Sequence, residues 1–488
     1  MSNTNTLKGL QPETVWNHFA ALNAVPRPSK KEEKVRAFLR SWFKERNISF
    51  REDAVGNLLA TKPASPGMEN AIPVVLQAHV DMVCQQNEGT DHRFEEEGID
   101  MFVDGDWVRA RGTTLGADNG IGVAFALSLL ENQNAVHPPL EALFTVDEET
   151  GMTGALGLKK GWVQGTFLLN IDTEDDQELT VGCAGGVDVT STGTYTSSPV
   201  PQGYKGLWVR LKGLTGGHSG MDIHLGRGNA NLLLSRVLRS LEESACIMLS
   251  SWEGGSLRNA IPREGKAHLA IADSHLDQAI AELNRLAQEL QAEYAETDPG
   301  LRLEWESIDA PTQVLDAVLQ QKLIRAVEAA PAGILRMSPT IPGLVQTSNN
   351  VSKISAKEGI VSIQCLTRSA VDSEKMAAAE ALRSVFSLAG LATEFAGSYP
   401  GWTPAPAGSL ASHMRDTYVR MFQKEPHVNA CHAGLECGII GERCPGMEMI
   451  SFGPTITGAH SPDERVSISS VQKSYDYFLE VLRTIPTR

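Results

Sequence analysis

Five places in this 488-residue sequence put histidine or acid side chains next to apolar runs or helix starts, where such groups can act together. VVLQAH ends on His79, with Asp81 two residues later. LGADNG sets Asp118 just before a helical run beginning near Ile121. ALFTVDEE carries Glu148 and Glu149 beyond an apolar run, LLNID carries Asp172, and His460 follows ISFGPTITGA. One such residue is usually a hydrogen-bonded turn or a solvated face. Together, two histidines and at least three carboxylates form the nitrogen and oxygen donor set that suits zinc, cobalt or manganese, with no need for cysteine. Two ions held ~3.5–4 Å apart need one bridging carboxylate and private ligands on either side, and five donors satisfy that count. Asp81 can orient His79 by accepting from its second ring nitrogen. Of the adjacent glutamates, one can bind metal while the other takes a proton from water.

These donors converge only if the elements before them are parallel strands, because ligands gather beyond the carboxyl ends of such strands in open α/β sheets. The patterning predicts helices over 12–24 and 31–46, strands at 57–62, 73–77, 140–146 and 167–171, and a helix over 121–131. From about Val187 to Tyr399 the strands alternate more with polar residues, and two long helices, 276–293 and 373–391, each follow a strand pair and precede a short strand. This reads as a weak internal repeat. After Tyr399 the α/β pattern returns, with a helix at 409–422 and a strand at 447–452. The expectation is an α/β chain with a mixed-sheet catalytic domain formed by residues 1–187 and 400–488. It is interrupted by an inserted, duplicated α+β lid over 188–399, at a loop where insertions are tolerated.

Bulk properties narrow the partners. The length exceeds one ordinary core, so two domains are expected. With 43 Lys and Arg against 59 Asp and Glu, the formal charge of −16 opposes nucleic acid and anionic membranes. No apolar stretch approaches the roughly 18 residues of a membrane helix, and MSNTNTLKGL lacks the features of a signal peptide, so a cytoplasmic protein is expected. Seven irregularly spaced cysteines point to reduced thiols, and Cys431, His432, Cys437 and Cys444 lack the spacing of a structural zinc site.

Several longer motifs recur in one order: HVD, TTLGADNGIG, DEETGMTGA, NIDTED, GCAGG, GGHSG, RNAIPRE and GAHSP. In combination they resemble the co-catalytic zinc exopeptidase family that contains carboxypeptidase G and peptidase T, over nearly the whole chain and most of all in its bacterial aminoacyl-histidine dipeptidase branch. The resemblance implies two zinc ions per subunit, which cobalt or manganese can replace. His79 and Asp172 would hold one ion, Glu149 and His460 the other, and Asp118 would bridge them. Glu148 corresponds to the general base, Asp81 to the aspartate that orients His79, and the Asp118–Asn119 peptide to a cis bond of the family. His218 matches a lid histidine that polarises the scissile carbonyl, while Asn259 and Arg368 match lid residues that hold the substrate carboxylate. Glu436, in HAGLEC, offers a carboxylate to a free amino end.

The implied activity is hydrolysis of Xaa-His and other unblocked, carnosine-like dipeptides. The alternative is deacylation of N-acyl amino acids, since relatives also take those substrates. Relatives that dimerise borrow lid residues from a neighbour. A lid of double length, with His218 and Asn259 in one half and Arg368 in the other, implies a site complete in one chain, whether or not the protein is a homodimer.

Overall fold

The computed structural model describes residues 6–487. Two compact units result. The first comprises Met1–Gly182, Trp402–Ala430 and Leu435–Arg488, and the second Cys183–Gly401 with Cys431–Gly434. The divisions fall at Gly182 and Gly401, and the short segment Cys431–Gly434 groups with the second unit.

The first unit is built on an eight-stranded mixed sheet in the order Ser49–Glu52, Leu58–Lys62, Leu140–Thr145, Val74–His79, Phe167–Asn170, Glu448–Ser451, Glu178–Cys183 and His427–Cys431. Val74–His79 runs parallel to both neighbours, and Glu448–Ser451 runs parallel to Phe167–Asn170. Val74–His79 and Phe167–Asn170 are buried along their whole length, which is why their sequences read as continuous apolar runs without alternation. The helix Ala117–Glu131, buried on nearly every side, packs on Val74–His79 and on the helix Glu13–Asn23. Its sequence accordingly has no polar face. A separate four-stranded sheet joins Ile456–Thr457, Arg465–Ser467, Trp107–Ala110 and Met101–Asp104.

The second unit carries a nine-stranded sheet in which one topology occurs twice. In chain order, Tyr204–Lys212, helix Ala230–Ala245, Met248–Gly254, Gly265–Ala272, helix Leu276–Glu293 and Arg302–Ile308 form a strand, helix, strand, strand, helix, strand set. Gly185–Thr194, helix Ala317–Ala329, Val345–Lys357, Ile360–Ser369, helix Asp372–Leu388 and Ala392–Tyr399 form the second, with the same lateral strand order. The two sets meet where Met248–Gly254 pairs antiparallel with Val345–Lys357. The first set lies wholly inside the connection between the first strand and first helix of the second. The core of this unit is apolar residues from the strands and all four helices, among them Trp252, Leu238, Leu286, Ile324, Ile363 and Phe386. Among the described residues no helix is long and apolar enough to cross a membrane.

Candidate metal centre

His79 closes its strand beside Thr145 of the neighbouring parallel strand, so Glu148 and Glu149 emerge next to it from the turn after Thr145. That turn reverses at Asp147, whose φ of 53° is left-handed, a conformation aspartate tolerates better than most residues. The Asp147 N–H donates to Glu32 at 3.1 Å, and its carboxylate accepts from the hydroxyls of Thr150 and Thr153. Asp81, fully buried, accepts from the backbone N–H groups of Glu148 and Glu149 at 3.1 and 3.2 Å and from the Ser29 hydroxyl at 2.8 Å. Its Oδ1 lies 3.3 Å from His79 Nδ1. One carboxylate therefore fixes both the ring of His79 and the turn carrying the two glutamates. Burial opposes its charge, but His79, Ser29 and the Glu148 amide hold its pKa below the ordinary value.

Asp118 presents its two oxygens to two histidines: Oδ1 is 3.1 Å from His79 Nε2 and Oδ2 is 3.2 Å from His460 Nε2. His460 Nε2 is also 3.0 Å from Glu149 Oε2, and His79 Nε2 is 3.5 Å from Asp172 Oδ1. The donor atoms of His79, Asp118 and Asp172 lie within 4.8 Å of one another, as do those of Asp118, Glu149 and His460, and Asp118 belongs to both groups. The Asp118–Asn119 peptide is cis, as the resemblance implies. Asn119 donates its amide to Asp172, and a Cβ on Gly122 would stand 2.0 Å from the Asn119 side chain, so only glycine allows this approach. His460 sits on the hairpin between Ile456–Thr457 and Arg465–Ser467 and is the most exposed of the donors.

The electrostatics of these residues fit cations. Burial raises the pKa values of Glu148, Glu149 and Asp172, and neighbouring acids add to the effect. Burial works against a charge on His79, yet Asp172, Asp118 and Asp81 raise its pKa well above normal. Hydrogen bonds to Asp118 and Glu149 push His460 up to about 11. With only protein groups present, the imidazoles are drawn toward imidazolium and supply the positive charge that the carboxylates demand. Glu149 Oε1 is buried without a partner. A divalent cation bound by nitrogen and oxygen donors resolves both features.

The other expected site residues lie elsewhere. Glu436 is sealed in the first unit, where its Oε2 accepts from Gln77 and Thr145, both at 2.6 Å, while its Oε1 has no partner. Burial pushes its pKa up to about 7. His218, Asn259 and Arg368 belong to the second unit. His218 Nδ1 accepts from the backbone N–H groups of Met221 at 3.0 Å and Gly220 at 3.3 Å, so its neutral ring carries the proton on Nε2. Burial and Arg368 both lower its pKa and favour that neutral form. Arg368 Nη2 lies 3.4 Å from the same Nε2, Nη1 donates to the Tyr399 hydroxyl at 3.0 Å, and Nε is buried without a partner. Two sets of N–H donors thus face one place. Asn259 is exposed in a turn, its carbonyl accepting from Ser219 N–H at 2.8 Å.

Sequence reasoning overlooked Tyr399 and considered His432 only as a member of the cysteine cluster that lacks zinc-site spacing. His432 is buried with its Nε2 2.7 Å from Ser348 Oγ. It also overlooked Arg27 and Glu464, charged residues that are almost fully buried near the centre.

Residues 75–484 match peptidase family M20/M25/M40. The chain is 45% identical over 482 residues to the cytosol non-specific dipeptidase of Escherichia coli, covering 99% of both chains. It matches the crystal structure of the aminoacylhistidine dipeptidase of Vibrio alginolyticus with a TM-score of 0.93 and 43% identity, over 99% of this chain and 98% of that one. An aminopeptidase PepT structure from Bacillus cereus, at 15% identity and a TM-score of 0.57 over 98% of this chain and 99% of that one, shares the fold. The chain therefore belongs to peptidase family M20/M25/M40, a family of metal-dependent peptide-bond hydrolases, and has its α/β catalytic fold with an inserted lid.

Proposed function

From the premise of a metal-dependent peptide-bond hydrolase, we propose that this chain is a cytosolic dipeptidase acting on Xaa-His and other unblocked dipeptides with two zinc ions per subunit. The observation that carries the two-ion reading is Asp118 facing His79 with one oxygen and His460 with the other. In this reading His79 and Asp172 hold one ion, Glu149 and His460 the other, and Asp118 bridges. The names of the two relatives covering 99% of the chain support the substrate class.

When bound, the ions supply Lewis acidity, which makes water a nucleophile near neutral pH. Glu148 accepts the proton released as the water oxygen bonds to the scissile carbonyl carbon. It returns that proton to the leaving amine as the C–N bond breaks. The Nε2 proton of His218 is free for a developing oxyanion, and the fork of Arg368 suits a substrate carboxylate. Asn259 assists at the carboxylate, and Glu436 serves the free amino end. In this reading one chain supplies every residue, whether or not the protein is a homodimer.

The test is a panel of unblocked dipeptides and N-acetyl amino acids, assayed with metal-free protein titrated by zinc, cobalt and manganese. Saturation at two equivalents with preference for the dipeptides is expected. Turnover restricted to N-acetyl amino acids would transfer the assignment to a deacylase.

A further inference from the structure

Two charged side chains without a role in the chemistry above are buried around the turn that delivers Asp118. Glu464, 2% exposed, accepts four successive backbone N–H groups. Leu115 and Gly116 donate to its Oε2 at 2.6 and 2.8 Å, and Ala117 and Asp118 to its Oε1 at 2.7 and 3.2 Å. Leu115 and Gly116 precede the helix Ala117–Glu131, whose dihedrals are non-helical at Asp118 and Asn119, so the carboxylate satisfies the buried amides of the turn that leads into the regular helix.

Arg27, 1% exposed, takes the carbonyl side of the same turn. Its Nη2 donates to Gly116 O at 2.6 Å and Asn23 Oδ1 at 2.8 Å, and its Nη1 to Asp81 O at 3.1 Å and Val80 O at 3.3 Å. Asn23 adds a bond to Leu115 O at 2.9 Å. Gly116 has a φ of 70°, and a Cβ there would stand 2.4 Å from Arg27 Nη2, so conformation and space both require glycine. Burial weakens the hold of Arg27 on its proton, and Glu464 is foremost among the groups that counter this.

The pair also reaches the other donor segments. Arg27 holds the carbonyls immediately after His79. Glu464 stands four residues beyond His460 on one hairpin loop, whose backbone closes through Ser461 N–H to Gly458 O at 3.2 Å and Glu464 N–H to Ser461 O at 3.0 Å. We propose that Arg27 and Glu464 are positioning residues that, through the Leu115–Asp118 turn, set the spacing of His79, Asp118 and His460 before any ion binds. The proposal rests on the two-ion reading of the site.

The experiment is chelator competition for zinc, measuring both dissociation constants per folded molecule for wild type, Arg27→Met, Glu464→Gln and the double variant. In Glu464→Gln an NH2 group confronts amide donors, and zinc affinity should fall ~10–100-fold, the usual range when support behind a ligand is lost. Because both residues act on one turn, the double variant should fall by less than the product of the single losses. A merely structural role would lower the melting temperature of metal-free protein and leave the affinity of folded molecules unchanged. Should Glu464→Gln not fold, Glu464→Asp keeps the charge but is one methylene too short to span four amides, and the same loss is expected. Wild-type affinity at both sites in a folded Glu464 variant, or strictly multiplicative losses in the double variant, would overturn the proposal. A wild-type protein that binds no zinc would sink the two-ion reading itself and the proposal with it, an outcome distinct from variants that bind normally.

Discussion

Asp118 Oδ2 and His460 Nε2 stand 3.2 Å apart although 342 residues separate them in sequence, and the other oxygen of Asp118 is turned to His79. Removing this carboxylate takes a donor from both groups at once. Asp118→Ala should lose both ions even in excess zinc. Asp81→Ala, which disturbs only the His79 ring and the Glu148–Glu149 turn, should bind two ions with affinity reduced about 10–100-fold. Elemental analysis after gel filtration distinguishes them, and two retained ions in Asp118→Ala would refute the bridging role.

Glu148→Gln should fold and load metal normally, because the amide is nearly isosteric and Glu148 contributes no ligand in this reading. Turnover should drop by roughly 10²–10⁴ in kcat, since the amide cannot accept the proton of water. Near-normal kcat in metal-replete variant would remove Glu148 from the mechanism.

His432 sets an acid limit on the second unit. Burial, with Arg368 and His218 nearby, lowers its pKa to about 3, below the unfolded value near 6.5. The unfolded chain therefore binds a proton that the fold refuses, and stability falls as pH drops from about 6.5 toward about 3. By pH 4.5 the loss from this residue should be of order 2 kcal/mol. His432→Asn should show a shallower decline of melting temperature over that interval. An unchanged slope would show that His432 is protonated without penalty.

Glu436 has the opposite sign. Its folded pKa of about 7 exceeds the unfolded carboxylate value, so the fold favours the proton and loses stability as pH rises from about 4.5 to about 7. In metal-free protein, Glu436→Gln should raise stability at pH 8 by about 1–3 kcal/mol and have little effect at pH 4. If this carboxylate also serves the amino end of the substrate, the variant's KM for unblocked dipeptides should rise. Unchanged KM would confine Glu436 to a structural role.

Mixing His218→Ala with Glu148→Gln protein tests whether one chain holds the whole site. Enzymes that exchange lid residues across a dimer regenerate an intact site in such a mixture. Here no activity should return under conditions where labelled subunits demonstrably exchange, and substantial recovery would assign His218 to a neighbour's site.

His79, Glu148, Glu149 and Asp172 were legible because each stands where a strand stops, and VVLQAH, ALFT and FLLN are mostly apolar and buried on both faces. The strand expected at 73–77 in fact runs to His79, since Gln77 is a buried polar residue that looks like a terminus in sequence. His460 was legible only as a histidine following ISFGPTITGA, because its hairpin is held by strands of two and three residues, too short for any periodicity. Met101–Asp104 and Trp107–Ala110 escaped notice for the same reason. Arg27 and Glu464 were not legible at all. Apart from the Asn23 side chain, their partners are backbone amides and carbonyls, which no composition records.

The order of the strands also has a consequence in time. Glu448–Ser451 slots between Phe167–Asn170 and Glu178–Cys183, and the hairpin bearing His460 comes later still. As the chain leaves the ribosome, His79, Asp118, Glu149 and Asp172 are present for nearly 300 residues before their last companion. The nested first strand set of the second unit can meanwhile close on itself from contiguous sequence. A nascent chain thus completes the strands of its second unit before the last candidate donor, His460, emerges.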